Sequence, residues 1–117
     1  MINKDCPFCR DVFPKVEWWD RGGDVHSFTP LNPVTPGHRL FVPWQHIEHD
    51  DIGAAEAVGK CMQAAQVYGA HYELADSFNL ITSFGPDSTQ TVPHIHIHFV
   101  PRVAGDGLAL PWGLPHD

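Results

Sequence analysis

The sequence predicts a mixed domain of β-strands with one long α-helix among them, and three stretches predict it. His94-Ile95-His96-Ile97-His98-Phe99-Val100 alternates with a period of two, the pattern of a strand whose successive side chains face opposite ways. Residues 16–20 and 24–29 flank Arg21-Gly22-Gly23, and a Gly-Gly supplies the positive φ that a hairpin turn demands. Residues 52–74 carry apolar side chains at spacings of three and four, the stripe of a helix packed on a core.

Composition narrows what such a domain does. A length of 117 residues suits one domain spanning 1–117, and a hydrophobic content of 43% suffices for one core. A net charge of −7 argues against a broad nucleic-acid groove, which needs a basic patch, but leaves room for a small phosphate ligand held by histidines and backbone N–H groups. No segment approaches the eighteen or so apolar residues of a membrane span, and Met1-Ile2-Asn3-Lys4-Asp5 lacks the apolar run of a signal peptide. No membrane or nucleic-acid partner is therefore expected, and a cytoplasmic protein is.

Taken in order, Cys6-Pro7-Phe8-Cys9 comes first. Its spacing lets two thiolates reach one tetrahedral zinc, while two free thiols are the plain alternative; a redox dithiol would need a βαβ context that does not follow. After the hairpin, the Pro-rich stretch 31–37 reads as a loop, residues 39–42 as a short strand stopped by Pro43, and 44–49 as a turn carrying His46 and His49. Asp50 and Asp51 are expected to cap the helix, whose stripe runs from Ile52 and Ala55 through Ala57 or Val58, Cys61 or Met62 and Ala65 to Tyr68 and Tyr72. Cys61 is then a small buried hydrophobe.

Residues 78–83 form the next strand, and the polar turn 84–91 leads from it into the histidine strand, which makes the two antiparallel neighbours. The turn's N–H groups and its Ser, Thr and Gln side chains are placed to cradle an oxyanion beside the histidine face. Pro93 opens the histidine strand and Pro101 is expected to end it, since neither can donate to a ladder. The aperiodic tail 103–117 keeps three leucines and Trp112, apolar residues that a second subunit would cover.

On the strand, His94, His96 and His98 share one face and Ile95, Ile97 and Phe99 the other. Three histidines on one face admit two chemistries: a catalytic metal centre with an open position, or nucleophilic attack by an imidazole on phosphorus. A solvated strand face is the weaker alternative, because such a face mixes residue types. Both chemistries can coexist. Cys6 and Cys9 need two further ligands for a structural zinc, and His46 or His49 with one end of the histidine row can supply them, which leaves His96 free to react.

His94-Ile-His-Ile-His-Phe-Val resembles the His-x-His-x-His motif of the histidine triad (HIT) family. The Cys6–Cys9 pair, Pro33-Val-Thr-Pro-Gly-His38 leading into Leu40-Phe-Val-Pro43, His46, Gln90 and Pro111-Trp112 are similar to the family's landmarks in the same order. The resemblance implies an α+β fold with an antiparallel sheet of about five strands, one long helix and a homodimer. It implies hydrolysis or transfer at the α-phosphate of a nucleotide conjugate, such as a dinucleoside polyphosphate or a nucleoside phosphoramidate, with a purine nucleotide as ligand. His96 would be the nucleophile, His98 would contact phosphate or the bridging oxygen, and His94 would orient the network or bind zinc. Gln90 and Thr91 would hold phosphate oxygens or the attacking water. Structural zinc would take Cys6, Cys9, His46 and His94, and Phe8, Val12, Phe28 and Leu31 would line a base pocket. Three positions depart from the family: Pro30 stands where an acid or Asn holds the ribose, leaving Asn32 to substitute, Ser83 where Asn is common, and Thr89 where Gly is common.

Overall fold

The structure is a computed structural model, and it describes residues 3–11, 13–73 and 75–112. A one-turn helix α1 (Pro7–Arg10) precedes β1 (Trp18–Trp19), β2 (Val25–Phe28), β3 (Arg39–Pro43), the long helix α2 (Ala54–Val67), β4 (Phe78–Ile81) and β5 (Ile97–Pro101). The strands make one antiparallel sheet in the order β1-β2-β3-β5-β4, as the α+β expectation required. The hairpin closes where expected: Gly23, at φ 77°, donates to Asp20 O, and Asp20 Oδ1 takes the N–H of Val25.

Alternation along the strands sorts the sheet into two faces. Val25, Phe41, Ile97 and Phe99 meet Cys61, Ala64, Ala65 and Tyr68 of α2 and the turn after it. Phe28, Leu40 and Val42 point the other way and pack with Phe8. His98, between Ile97 and Phe99, lies on this second face, so the face packed on the helix is apolar and the far face carries the histidine.

The histidine stretch departs from the expected seven-residue strand. Only residues 97–101 are laddered, and the pairing of β3 with β5 reaches no further than Phe41↔Ile97. Residues 94–96 are held by other groups: Ile95 N–H donates to Ile47 O at 2.8 Å, and Thr82 Oγ1 donates to His96 O at 2.9 Å. Pro101 is the last residue of the strand, included in it rather than lying just beyond. It pairs opposite Phe78, while the neighbouring Arg102 N–H makes the bond to Ser77 O that a proline cannot.

The helix is also shifted. Gly53, in the left-handed region at φ 89°, precedes α2, and Asp51 instead caps a tight turn by accepting the Glu48 N–H. The buried stripe therefore begins at Ala54 and Ala57, which close over Ile95, while Ile52 is fully exposed and Ala55 exposed. After Val67 the helix widens into a π turn over Tyr68–Tyr72, with Tyr72 60% exposed. Here a glycine is required: a Cβ on Gly69 would stand 2.7 Å from ring carbons of both Phe78 and Phe99. Gly69→Ala is expected to destabilise the protein by about 1–3 kcal/mol through overpacking, read as a lower urea midpoint at unchanged m-value.

The start of the tail is pinned. Arg102 spans both carboxylate oxygens of Asp106 at 2.7 and 3.0 Å, Asn79 Oδ1 at 2.7 Å and Leu108 O at 2.7 Å, which ties residues 102–108 to edge strand β4. No helix among the described residues is long and apolar enough to cross a membrane.

Candidate metal centre and histidine row

Cys6 and Cys9 come from the ends of the α1 turn, His46 from the turn after β3, and His94 from the segment before β5. Their ligand atoms all lie within 4.8 Å of one another. His94 Nδ1 is 3.4 Å from Cys6 Sγ and 3.6 Å from Cys9 Sγ, and His46 Nδ1 is 3.5 Å from Cys9 Sγ. Tetrahedral bonds of 2.0–2.3 Å place their ligand atoms about 3.3–3.8 Å apart, so these separations fit a zinc-sized ion.

The far side of each imidazole decides which nitrogen faces inward. His94 Nε2 lies 2.9 Å from Pro43 O, and a carbonyl only accepts, so Nε2 carries the hydrogen and Nδ1 keeps its lone pair. His46 Nε2 donates in the same way to Glu48 Oε2 at 2.7 Å. This carbonyl or carboxylate behind each ring is the arrangement that orients metal-ligating histidines. Burial pushes His94 down to about 4 and the Cys6 thiol up, so near neutrality the imidazole is uncharged and its lone pair is available, while a bound cation would have to displace the thiol's proton. Of the two candidates in the 44–49 turn, only His46 joins the cluster. His49 stacks on Phe84 with ring centroids 5.1 Å apart. Cys61 lies on the buried face of α2, its thiol pushed up to about 12 chiefly by burial, consistent with a core role.

The same logic assigns the rest of the row. His96 Nδ1 lies 2.8 Å from His94 O and must donate to it, which leaves the Nε2 lone pair uncommitted. His98 is governed by His38, a residue to which sequence reasoning assigned no role. The backbone N–H of Val34 donates to His38 Nδ1 at 3.0 Å, so the His38 hydrogen resides on Nε2 and is donated to His98 Nδ1, 3.0 Å away. His98 therefore presents Nε2–H as a donor. The signal for His38 was its place two residues before Leu40, whose face it shares in an extended segment leading into β3; only the pairing of β3 with β5 reveals that this face meets His98.

Burial lowers the pKa of His38 and His96, and of His98 to about 4, with the neighbouring imidazoles adding to the effect on His98. His26, buried on the same face beside Trp19, is also pushed down to about 4 by burial. Between pH 6.5 and about 4 the unfolded chain thus binds more protons at these histidines than the folded one. Their contribution to stability is complete above pH 6.5 and declines as pH falls toward 4. Thermal melts are expected to show Tm falling through this window; a flat profile would mean that these rings protonate without penalty.

The remaining expected site residues divide. Phe8 and Phe28 sit together, ring centroids 5.6 Å apart, on the histidine side of the sheet. Leu31, 85% exposed, and exposed Asn32 stand out on the loop after β2, while Val12 lies outside the described residues. In the 84–91 turn, Gln90 Oε1 accepts the Gly85 N–H at 2.9 Å, a bond that does not use the amide NH2. Thr89 holds a left-handed φ of 69° where glycine would be unstrained. Ser83 is half-buried, and Thr89 and Thr91 are exposed.

The family model for the HIT domain matches residues 22–105, which takes in the histidine row but not the Cys6–Cys9 knuckle. An uncharacterised HIT-like protein of Methanocaldococcus jannaschii is 29% identical over 92% of this chain and 87% of its own length. A bis(5'-adenosyl)-triphosphatase of Saccharomyces cerevisiae is 32% identical over 67% of the chain, and the matched part spans 40% of that protein. A Zn-bound histidine triad family protein from Mycobacterium smegmatis superposes with a TM-score of 0.69 at 29% identity, covering 89% of this chain and 79% of that one.

Proposed function

The chain belongs to the HIT family, and from that premise we propose that it is a nucleotidyl hydrolase or transferase acting at the α-phosphate of a nucleotide conjugate. The observation that carries this reading is the hydrogen bond from His96 Nδ1 to His94 O, which leaves Nε2 as a neutral nucleophile. Nε2 attacks the α-phosphorus, a P–N bond forms, and the bond to the leaving group breaks with the electron pair departing on its oxygen or nitrogen. His98 Nε2–H, aligned by His38, supplies a donor to the phosphate or the leaving atom. Water then attacks the nucleotidyl-histidine: a P–O bond forms, the electron pair of the P–N bond returns to Nε2, and the proton lost by the water passes to solvent.

Gln90, with its carbonyl engaged by Gly85, offers NH2 to a phosphate oxygen, and Ser83, Thr89 and Thr91 stand nearby in sequence as further donors. Phe8 and Phe28 offer an apolar surface for a purine base. Cys6, Cys9, His46 and His94 would hold zinc, which would close the fold around the row rather than act on phosphorus. The name of the yeast relative, a bis(5'-adenosyl)-triphosphatase, supports dinucleoside polyphosphates as one substrate class. A second copy of the chain and a cytoplasmic setting belong to the same reading.

A non-catalytic nucleotide-binding protein is the second reading, motivated by Pro30, which offers no side-chain acceptor to a ribose. Incubation with an α-labelled dinucleoside polyphosphate or phosphoramidate, followed by rapid denaturation, separates the two. The proposal expects an acid-labile, base-stable label on His96; nucleotide binding without an adduct or turnover would favour the alternative.

A further inference from the structure

We propose that Phe8 is a positioning residue for His96, and that the Cys6–Cys9 knuckle acts on the imidazole through it. The inference rests on His96 being the reacting group, as proposed above. Among the described residues one hydrogen bond orients the His96 ring, from Nδ1 to His94 O, and a single bond leaves the imidazole free to rock about it. Its ring neighbours are His98, at 5.2 Å between centroids, and Phe8, at 5.1 Å and 85°. Phe8 also stands edge-to-face against His94 at 5.8 Å and against Phe28 at 5.6 Å. It is thus wedged among the nucleophile, the residue that accepts the nucleophile's hydrogen bond, and the apolar cluster of the sheet.

The wedge has a rigid mount. Phe8 lies between two buried cysteines, Cys9 N–H donates to Cys6 O at 3.0 Å, and Pro7 sits at the helix start and limits the backbone. Both sulfurs converge on His94 Nδ1. An ion holding Cys6, Cys9 and His94 together would therefore fix the Phe8 ring and the His94 carbonyl at once, and these two groups determine where His96 Nε2 points. Reactions by a positioned nucleophile are sensitive to such placement, since a misplacement of about 1 Å costs on the order of 100-fold.

The test compares wild type, Phe8→Ala and Phe8→Leu, each zinc-loaded with 15N-labelled histidine. In nucleotide-free wild type, the His96 nitrogen shifts are expected to report a single neutral tautomer with hydrogen on Nδ1. Phe8→Ala is expected to move these shifts toward a tautomeric average and, at saturating nucleotide, to slow single-turnover adduct formation by about 10- to 100-fold, a loss in rate that adds to the weaker nucleotide Kd expected from trimming the apolar surface. Phe8→Leu, which refills the wedge, is expected to recover most of the shift pattern and of the rate. Zinc removal by chelation should reproduce the Phe8→Ala shifts in protein that remains folded by circular dichroism. A wild-type nitrogen signature in Phe8→Ala, or a loss confined to nucleotide affinity, would overturn the proposal and leave Phe8 as pocket wall alone. Absence of any adduct in wild type would instead overturn His96 as nucleophile, an outcome distinguishable because the nitrogen shifts need no turnover.

Discussion

His96→Ala is expected to lower turnover of a dinucleoside polyphosphate or phosphoramidate by roughly 10⁴-fold or more, as loss of a covalent nucleophile does, while nucleotide Kd stays within a few-fold of wild type. The asymmetry follows from the geometry. His96 contributes one lone pair, whereas an apolar surface from Phe8 and Phe28 and donors at His98 and Gln90 remain for the ligand. Removing the attacking atom thus removes the bond-forming step more than the binding. His98→Ala should behave differently: the adduct still forms, more slowly, because a donor rather than the nucleophile is lost. His96→Ala with activity near wild type would remove this histidine from the chemistry; equal losses in kcat and affinity would mean that the substitution collapsed the pocket.

Removal of a bound metal is expected to have the largest effect on stability. Cys6, Cys9, His46 and His94 link three chain segments that no strand pairing joins, namely the N-terminal turn, the turn after β3 and the segment before β5. Binding free energy at such a site is folding free energy. Metal analysis is expected to give one zinc per chain, and chelation to cost several kcal/mol, lowering Tm by roughly 10–20 °C for a chain of this size. Cys9→Ser should lose the metal, while His49→Ala should keep it, since His49 stacks on Phe84 outside the cluster. Metal-free protein with an unchanged melt in chelator would contradict the assignment, and metal retained in Cys9→Ser would shift it to the histidines alone.

Much of this arrangement was legible in the sequence because it rests on local periodicity. Strict alternation placed His98 opposite Ile97 and Phe99, Gly22-Gly23 marked the hairpin, and the stripe through Ala57, Cys61, Ala65 and Tyr68 marked the helix. Where local signals competed, the boundaries moved. Asp50 and Asp51 looked like caps, but Asp51 had a nearer N–H to satisfy in its own turn. The expected strand 94–100 lost its first three residues to partners on other segments, Ile47 O and Thr82 Oγ1, which a period of two cannot reveal.

Chain order sets the residue types and their faces: two thiols at a chelating interval, three imidazoles on one side, and a polar turn leading to them. What distinguishes the three imidazoles arises from long-range contacts. A histidine's role depends on which ring nitrogen carries the hydrogen, and that is set by the acceptor or donor standing behind it. Pro43 O turns His94 Nδ1 toward the cysteines, His94 O turns His96 Nε2 outward, and Val34 N–H acting through His38 makes His98 a donor. Those partners are up to 60 residues away in sequence, brought close by the antiparallel pairing of β3 with β5. Chain order therefore specifies three chemically identical rings, and the fold makes them different.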